Sequence, residues 1–263
     1  IICSKQQEYP IRQPFSLWVR SWNSMRPIEC FQVPMIKGQR ITFQEGLVNM
    51  REKFETELVK LNNALVEMGA LCEDAISCGV KYLLDRDEQM KESSVKAEKL
   101  IDNKEREIES MCMRLLIHQQ PVATDFRMVT SALKMLTDLE RIGDQASDIV
   151  EIADYVTADM TFRTDIKEMA ENTVRMVTNS IDSFVKKDIS IADSVIRMDD
   201  TVDALFDKVK SEIMSIVSAE SNNAECLLDL LMIAKYFERI GDHSENIAEW
   251  VIFAVTGKHN ERY

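Results

Sequence analysis

Between Met50 and Val255 the chain contains one proline, Pro121, and four glycines, Gly69, Gly79, Gly143 and Gly241. Over that span leucine, isoleucine, valine and methionine recur at three- and four-residue spacing among charged residues. This is the period of an amphipathic helix, not of a strand. One stripe runs Leu227, Leu230, Ala234, Phe237, Gly241, Ser244, Ala248, Val251 and Val255, and another runs Val129, Leu133, Leu136, Gly143, Ala146, Val150 and Ala153. Breaks in the pattern fall near Asp85–Asp87, His118–Pro121, Thr157–Thr164, Lys186–Asp188 and Ser218–Asn223. Local signals agree: Asn222 stands three before Glu225, Asp165 three before Glu168, and Gly257 follows the last stripe. The reading is all-α, with six helices at roughly 50–84, 88–118, 122–156, 165–186, 189–218 and 223–256.

The six helices are two sets of three. A shift of 101 lays Ile101, Asp102, Ile108, Cys112, Leu115 and Leu116 on Val202, Asp203, Val209, Ile213, Ile216 and Val217. For the third helix the shift becomes 98, and Leu133, Glu140–Asp144, Ile149 and Glu151 meet Leu231, Glu238–Asp242, Ile247 and Glu249. The connection HQQPVATDFR is therefore three residues longer in the first half. A repeat at this period predicts two tandem three-helix bundles. The domain reading is 1–49 as a poorly ordered extension or translated sequence upstream of Met50, 50–157 and 158–257 as the repeats, and 258–263 as a tail.

The pentapeptide ERIGD lies inside both third helices and carries two costs. A glycine inside a helix costs about 1 kcal/mol relative to alanine, and two acids four apart repel by a few tenths of a kcal/mol. Residues i and i+4 share one helical face, so Glu140/Asp144 and Glu238/Asp242 are pairs one turn apart. The middle helices supply a second pair in each half, Glu98/Asp102 and Asp199/Asp203. If those faces adjoin, four carboxylates meet in each half. Such a patch repels itself until a multivalent cation enters, and oxygen donors suit hard ions such as Mg, Mn or ferric iron. Any single acid pair is ordinarily a solvated helix face; recurrence at the same registers in both halves is what favours metal. Gly143 and Gly241 let a neighbouring helix approach closely. Arg141 and Arg239 are expected to pair with nearby acids, and Asp148 and Asn246 to serve as outer ligands. His243 reads as solvated.

Other classes find little support. The net charge is −13, against nucleic-acid backbone binding or docking on anionic lipid. The first 49 residues carry six Lys/Arg against three Asp/Glu. No run approaches the roughly 18 apolar residues of a membrane span, and no signal-peptide layout is visible. The six cysteines show no CxxC spacing, so Cys72, Cys78, Cys112 and Cys226 read as reduced thiols in helices of a cytoplasmic chain. None of the three histidines has the Glu-x-x-His spacing of carboxylate di-iron bundles, and no phosphate loop or nucleophile elbow occurs. A metal-dependent carboxylate-cluster enzyme and a plain helical scaffold are the alternatives.

The stretch HQQPVATDFRMVTSALKMLTDLERIGDQASDIVEIA and its partner KYFERIGDHSENIAEWVIFAVTGK resemble the PhoU family of bacterial phosphate-signalling regulators, as does the opening MREKFETELVKLNNALVEMGALCEDAI. The resemblance covers about residues 50–257 and departs from the family in the leader. It implies two three-helix bundles, homodimers, and multinuclear iron or zinc clusters. Their ligands by position are Glu98, Asp102, Glu140, Asp144, Asp199, Asp203, Glu238 and Asp242. It also implies a non-enzymatic negative regulator of phosphate signalling and uptake, linking the ATPase subunit of the phosphate-specific ABC transporter to a membrane sensor histidine kinase.

Overall fold

The computed structural model describes residues 43–118, 122–156, 163–219 and 224–258. Six helices account for nearly all of them: α1 (Phe43–Asp85), α2 (Glu88–His118), α3 (Ala123–Ala153), α4 (Arg163–Lys186), α5 (Ile189–Ala219) and α6 (Ala224–Thr256). Among the described residues there is no strand. α1 begins seven residues before the expected Met50. Gln44, Glu45 and Leu47 propagate a helix well, and they carry it past Gly46. The rest of the 1–49 segment lies outside the described residues, as do Asn222 and the tail from 259.

The repeat is visible in the turns. Arg86, between α1 and α2, and Lys187, between α4 and α5, both adopt left-handed backbone with φ of 58° and 55°. They are 101 residues apart, the repeat shift itself. Each is followed by an aspartate that caps the next helix: Asp87 Oδ1 accepts from the Gln89 amide at 2.9 Å, and Asp188 Oδ1 from the Ser190 amide at 2.8 Å. A left-handed non-glycine residue costs on the order of 1 kcal/mol or more. Arg86 offsets it by donating its guanidinium to the carbonyls of Ala153 and Val156. Gly257, at φ 74°, closes α6 as its position predicts, its amide bonding to Phe253 O at 2.8 Å. Asp165 is not a cap. It sits inside the first turn of α4, buried, and holds Lys208 of α5 at 2.8 Å.

The helices form two layers. α3 lies at the centre of the first, with α2 on one side and α6 on the other, and α5 beyond α6. α4 backs α5 and α6, and α1 backs α2 and α3: Ser94 Oγ donates to Ala75 O, and Cys72 Sγ to Leu139 O. α1 and α4 meet where Gly69 leaves room for Ile181. A Cβ on residue 69 would stand 2.1 Å from Ile181 Cδ1. A single apolar core threads all six helices, including Leu61, Leu65, Met68, Ile101, Leu139, Phe184 and Phe237. Both expected stripes face it, except that Leu133, Leu227 and Val255 are only half-buried. The thiols of Cys72 and Cys112 are buried and free, and burial pushes Cys112 up to about 12, which keeps it an inert core group.

The seam between the halves is polar at two mirrored points. His243 Nδ1 of α6 meets Asp138 Oδ1 of α3 at 3.0 Å, and Asn246 Nδ2 reaches the same oxygen at 3.4 Å. At the other end of the seam Tyr236 bonds Asp148. This corrects three readings: His243 is not a solvated side chain, and Asn246 and Asp148 are turned to the partner repeat instead of extending the acid rows.

Candidate metal centre

Each half presents a hairpin, α2–α3 or α5–α6, whose two helices run antiparallel with their acid rows facing. What sets the spacing is glycine. A Cβ on Gly143 would stand 2.9 Å from Ile101 Cδ1 and 3.2 Å from its Cγ2. A Cβ on Gly241 would stand 2.8 Å from Asp199 Oδ1. Both are tighter than real Cβ contacts allow. The helix-interior glycines of the two ERIGD pentapeptides therefore permit the approach of the acid-bearing middle helices, which explains their cost of about 1 kcal/mol each.

In the first half Asp102 of α2 lies near enough to Glu140 of α3 to act on its charge. Burial raises the Glu140 pKa, and Asp144, Glu105 and Asp102 raise it further against the pull of Arg141. Arg141 stands 2.8 Å from Asp144 Oδ2 and 3.4 Å from Glu140 Oε2, the pairing expected of it. Glu98 Oε2 accepts a hydrogen bond from Ser147 Oγ at 3.1 Å.

In the second half Asp199 and Asp203 of α5 face Glu238 and Asp242 of α6. Asp199 is only 8% exposed, and its Oδ1 has no hydrogen-bond partner. Burial, followed by Glu245, Asp203, Asp242 and Glu238, pushes its pKa up to about 7. Burial also raises Asp203, helped by Glu238 and opposed by Lys235. Asp242 is raised by burial too, against Lys235, with Asp203 adding to the rise. Lys235 is ion-paired with Glu238.

The eight sequence-predicted residues thus lie on adjoining helices of the two hairpins, with Glu98 turned to Ser147, and as the side chains stand they are not drawn to coordination distance. Among the described residues no three His, Cys, Asp or Glu side chains are grouped tightly enough to hold an ion. Arg141, Lys235 and Ser147 occupy carboxylate oxygens that an ion would take. The donor set nevertheless fits a hard cation. It is all oxygen, it comes from adjoining helices, and it contains a buried carboxylate oxygen with no donor. Sequence reasoning missed Glu245 and Glu105, which stand near enough to act on Asp199 and Glu140. Glu245 is three residues after Asp242 and so on the same face, a register legible in the sequence.

Comparison with known proteins agrees with this architecture. The family model described as the PhoU domain matches the chain twice, at residues 65–153 and 166–251. The chain is 34% identical over 211 residues to a phosphate-specific transport system accessory protein PhoU homolog of Clostridium acetobutylicum, covering 79% of this chain and 96% of the relative. The Escherichia coli K12 accessory protein PhoU is 26% identical over 208 residues, with 78% of this chain and 86% of the relative covered. The crystal structure of PhoU from Pseudomonas aeruginosa superposes with a TM-score of 0.73 at 30% identity, covering 78% of this chain and 100% of that one. Among the described residues no helix is long and apolar enough to cross a membrane.

Proposed function

The chain belongs to the PhoU family, and on that premise we propose that it is a regulatory accessory protein of phosphate transport that works without catalytic turnover. The relatives' names place them in the phosphate-specific transport system. In this reading the protein sits in the cytoplasm as a homodimer and contacts the ATPase subunit of the phosphate ABC transporter. It holds a sensor histidine kinase inactive when phosphate is plentiful, and it restrains uptake. The working halves are residues 50–157 and 158–257.

The single observation that supports the metal part is the buried, donorless Asp199 Oδ1 beside the acids of α6. Glu98, Asp102, Glu140 and Asp144 would hold one cluster and Asp199, Asp203, Glu238 and Asp242 the other. Iron, zinc, Mg or Mn bound there would supply the positive charge that the carboxylates lack, tying α2 to α3 and α5 to α6. To admit it, Arg141 swings away from Asp144 and Lys235 from Glu238. Both are long side chains with exposed ends, so the movement is cheap.

Deletion of the gene tests the regulatory role. Alkaline phosphatase is expected to rise in phosphate-rich medium, and unchanged expression contradicts the proposal. Co-purification of the transporter's ATPase subunit with the tagged chain tests the contact; its absence under conditions that retain the intact transporter contradicts it.

A further inference from the structure

α1 and α4 hold the same place in the two repeats, and the shift of 101 relates them as it relates the turns that follow them. Leu65, Met68 and Leu83 fall on Ile166, Met169 and Phe184, all of them buried. The crossing of the two helices therefore has two equivalent ends. At one end Ile181 fills the space over Gly69, and Thr178 Oγ1 donates to Glu73 at 2.8 Å. At the other end the same positions hold Val80, Ala170 and Val174. The shorter knob and the added Cβ leave that end unfilled, and a groove of about 930 Å³ lies between the helices.

The charges invert between the ends. Lys81, Arg175 and Asp85 beside the groove stand where the closed end has Asp182, Asp74 and Lys186. Lys167 adds a third cation, ion-paired at 3.8 Å with Glu171, the second acid. The walls thus carry three cations and two acids, in a chain of net charge −13. Arg175 donates to neutral acceptors, Asn172 Oδ1 at 2.9 Å and Glu171 O at 3.1 Å. Beneath the charges the floor is aliphatic, with Ile76, Val80 and Ala170 buried and Leu84 and Val174 half-buried.

We propose that the α1–α4 groove, independently of the carboxylate hairpins, docks an amphipathic helix of a partner protein, aliphatic on the face it buries and acidic along its flanks. A groove between two helices accepts a third by the same ridge-and-groove packing that builds the bundles. The guest's aliphatic face covers Leu84 and Val174, and its carboxylates pair with Lys81 and Arg175 at the rim. Such rim pairs set specificity and association rate, while the aliphatic floor supplies affinity. Charge selects this occupant. The chain's own first 49 residues, with six Lys/Arg against three Asp/Glu, have the wrong sign. A second copy would bring its acidic end, where the filling residue, Ile181, is turned inward and buried.

The test is fluorescence anisotropy of a labelled helical peptide of about four turns, with leucine at three- and four-residue spacing and glutamate on both flanks. Its counterpart carries lysine in place of glutamate. Full-length wild type is expected to bind the glutamate peptide about tenfold more tightly than the lysine peptide. Bulk charge alone would give the reverse order, because a chain of −13 attracts lysine. Lys81→Glu/Arg175→Glu should weaken the glutamate peptide about tenfold, and the mirrored Asp74→Ala/Asp182→Ala should leave it within about twofold. Urea midpoints matching wild type show that both variants are folded. Preference for the lysine peptide, no binding of the glutamate peptide by wild type, or equal losses in the two variants overturns the proposal. So does a wild-type dimer that Lys81→Glu/Arg175→Glu splits in sedimentation, which would make a second copy the occupant.

Discussion

In the α2–α3 hairpin the space left by Gly143 is filled by the apolar end of Ile101, and Ser147 satisfies Glu98. In the α5–α6 hairpin the equivalent glycine, Gly241, has the Asp199 carboxylate against it, and Ser147 has become Glu245. The backbone arrangement is repeated down to the left-handed turn residues Arg86 and Lys187. The first half thus places an apolar group at its glycine and a hydroxyl on Glu98, where the second places a buried carboxylate oxygen that has no donor. The difference therefore lies in the side chains, because the backbone of the two hairpins repeats.

The largest expected effect is at Asp199. Its folded pKa lies near 7, above the ordinary carboxylate value of 3.8. The folded state therefore holds a proton that the unfolded state has released between about pH 4 and 7. Its stabilising contribution is full below pH 4 and declines as pH rises through that window. Asp199→Asn removes the titration. Metal-free Asp199→Asn is expected to match wild type near pH 4 and to exceed it by about 4 kcal/mol at pH 7.5 in urea unfolding. Ser147→Ala, which removes the donor to Glu98 in the first half, should instead lose up to about 1 kcal/mol at both pH values. Equal pH dependence in the two variants would erase the distinction between the halves.

The glycines sharpen it. Gly143→Ala pushes a Cβ into Ile101 from two sides. After the gain of about 1 kcal/mol in helix propensity, a net loss near 1 kcal/mol is expected. Gly241→Ala displaces the Asp199 carboxylate toward water, so stability should change little while Mn²⁺ affinity falls. Urea midpoints and Mn²⁺ titrations on both variants read the two outcomes. A stability loss in Gly241→Ala as large as in Gly143→Ala would mean that Asp199 is a packing group only.

The smallest effect is at the seam, which neither hairpin owns. His243→Ala and Asp138→Ala each remove a half-buried hydrogen bond, for an expected loss of up to about 1 kcal/mol. Because they share that bond, the double variant should cost little more than either single one. Additive losses in urea unfolding would show that the contact is not shared.

The helices, the repeat and the acid pairs were legible because each depends on local period: the stripes through Phe237 and Leu136, the shift of 101, the i, i+4 spacing. What escaped depends on how bundles dock. Asp138 and His243 lie 105 residues apart, and no period in the sequence joins them. Hence His243 read as solvated and Asp148 and Asn246 as ligands. Gly69 gave no sign that Ile181 would fill its place, since the α1–α4 crossing is set by the whole core. The start of α1 was placed at Met50 because proline and charge change near there, while helix propensity continues back to Phe43. Glu245 was within reach, three residues past Asp242 and on the same helical face.

The account stands on carboxylates of neighbouring helices serving one ion site in each half, which metal stoichiometry measures directly. Purified protein is reconstituted with iron, zinc or Mn²⁺, desalted and subjected to elemental analysis, beside Asp203→Asn/Asp242→Asn and Asp102→Asn/Asp144→Asn. Each double variant, with one carboxylate removed from both helices of a single hairpin, is expected to retain only the metal of the other half. Bound metal that persists unchanged in both variants, or its absence from the wild type, would contradict it.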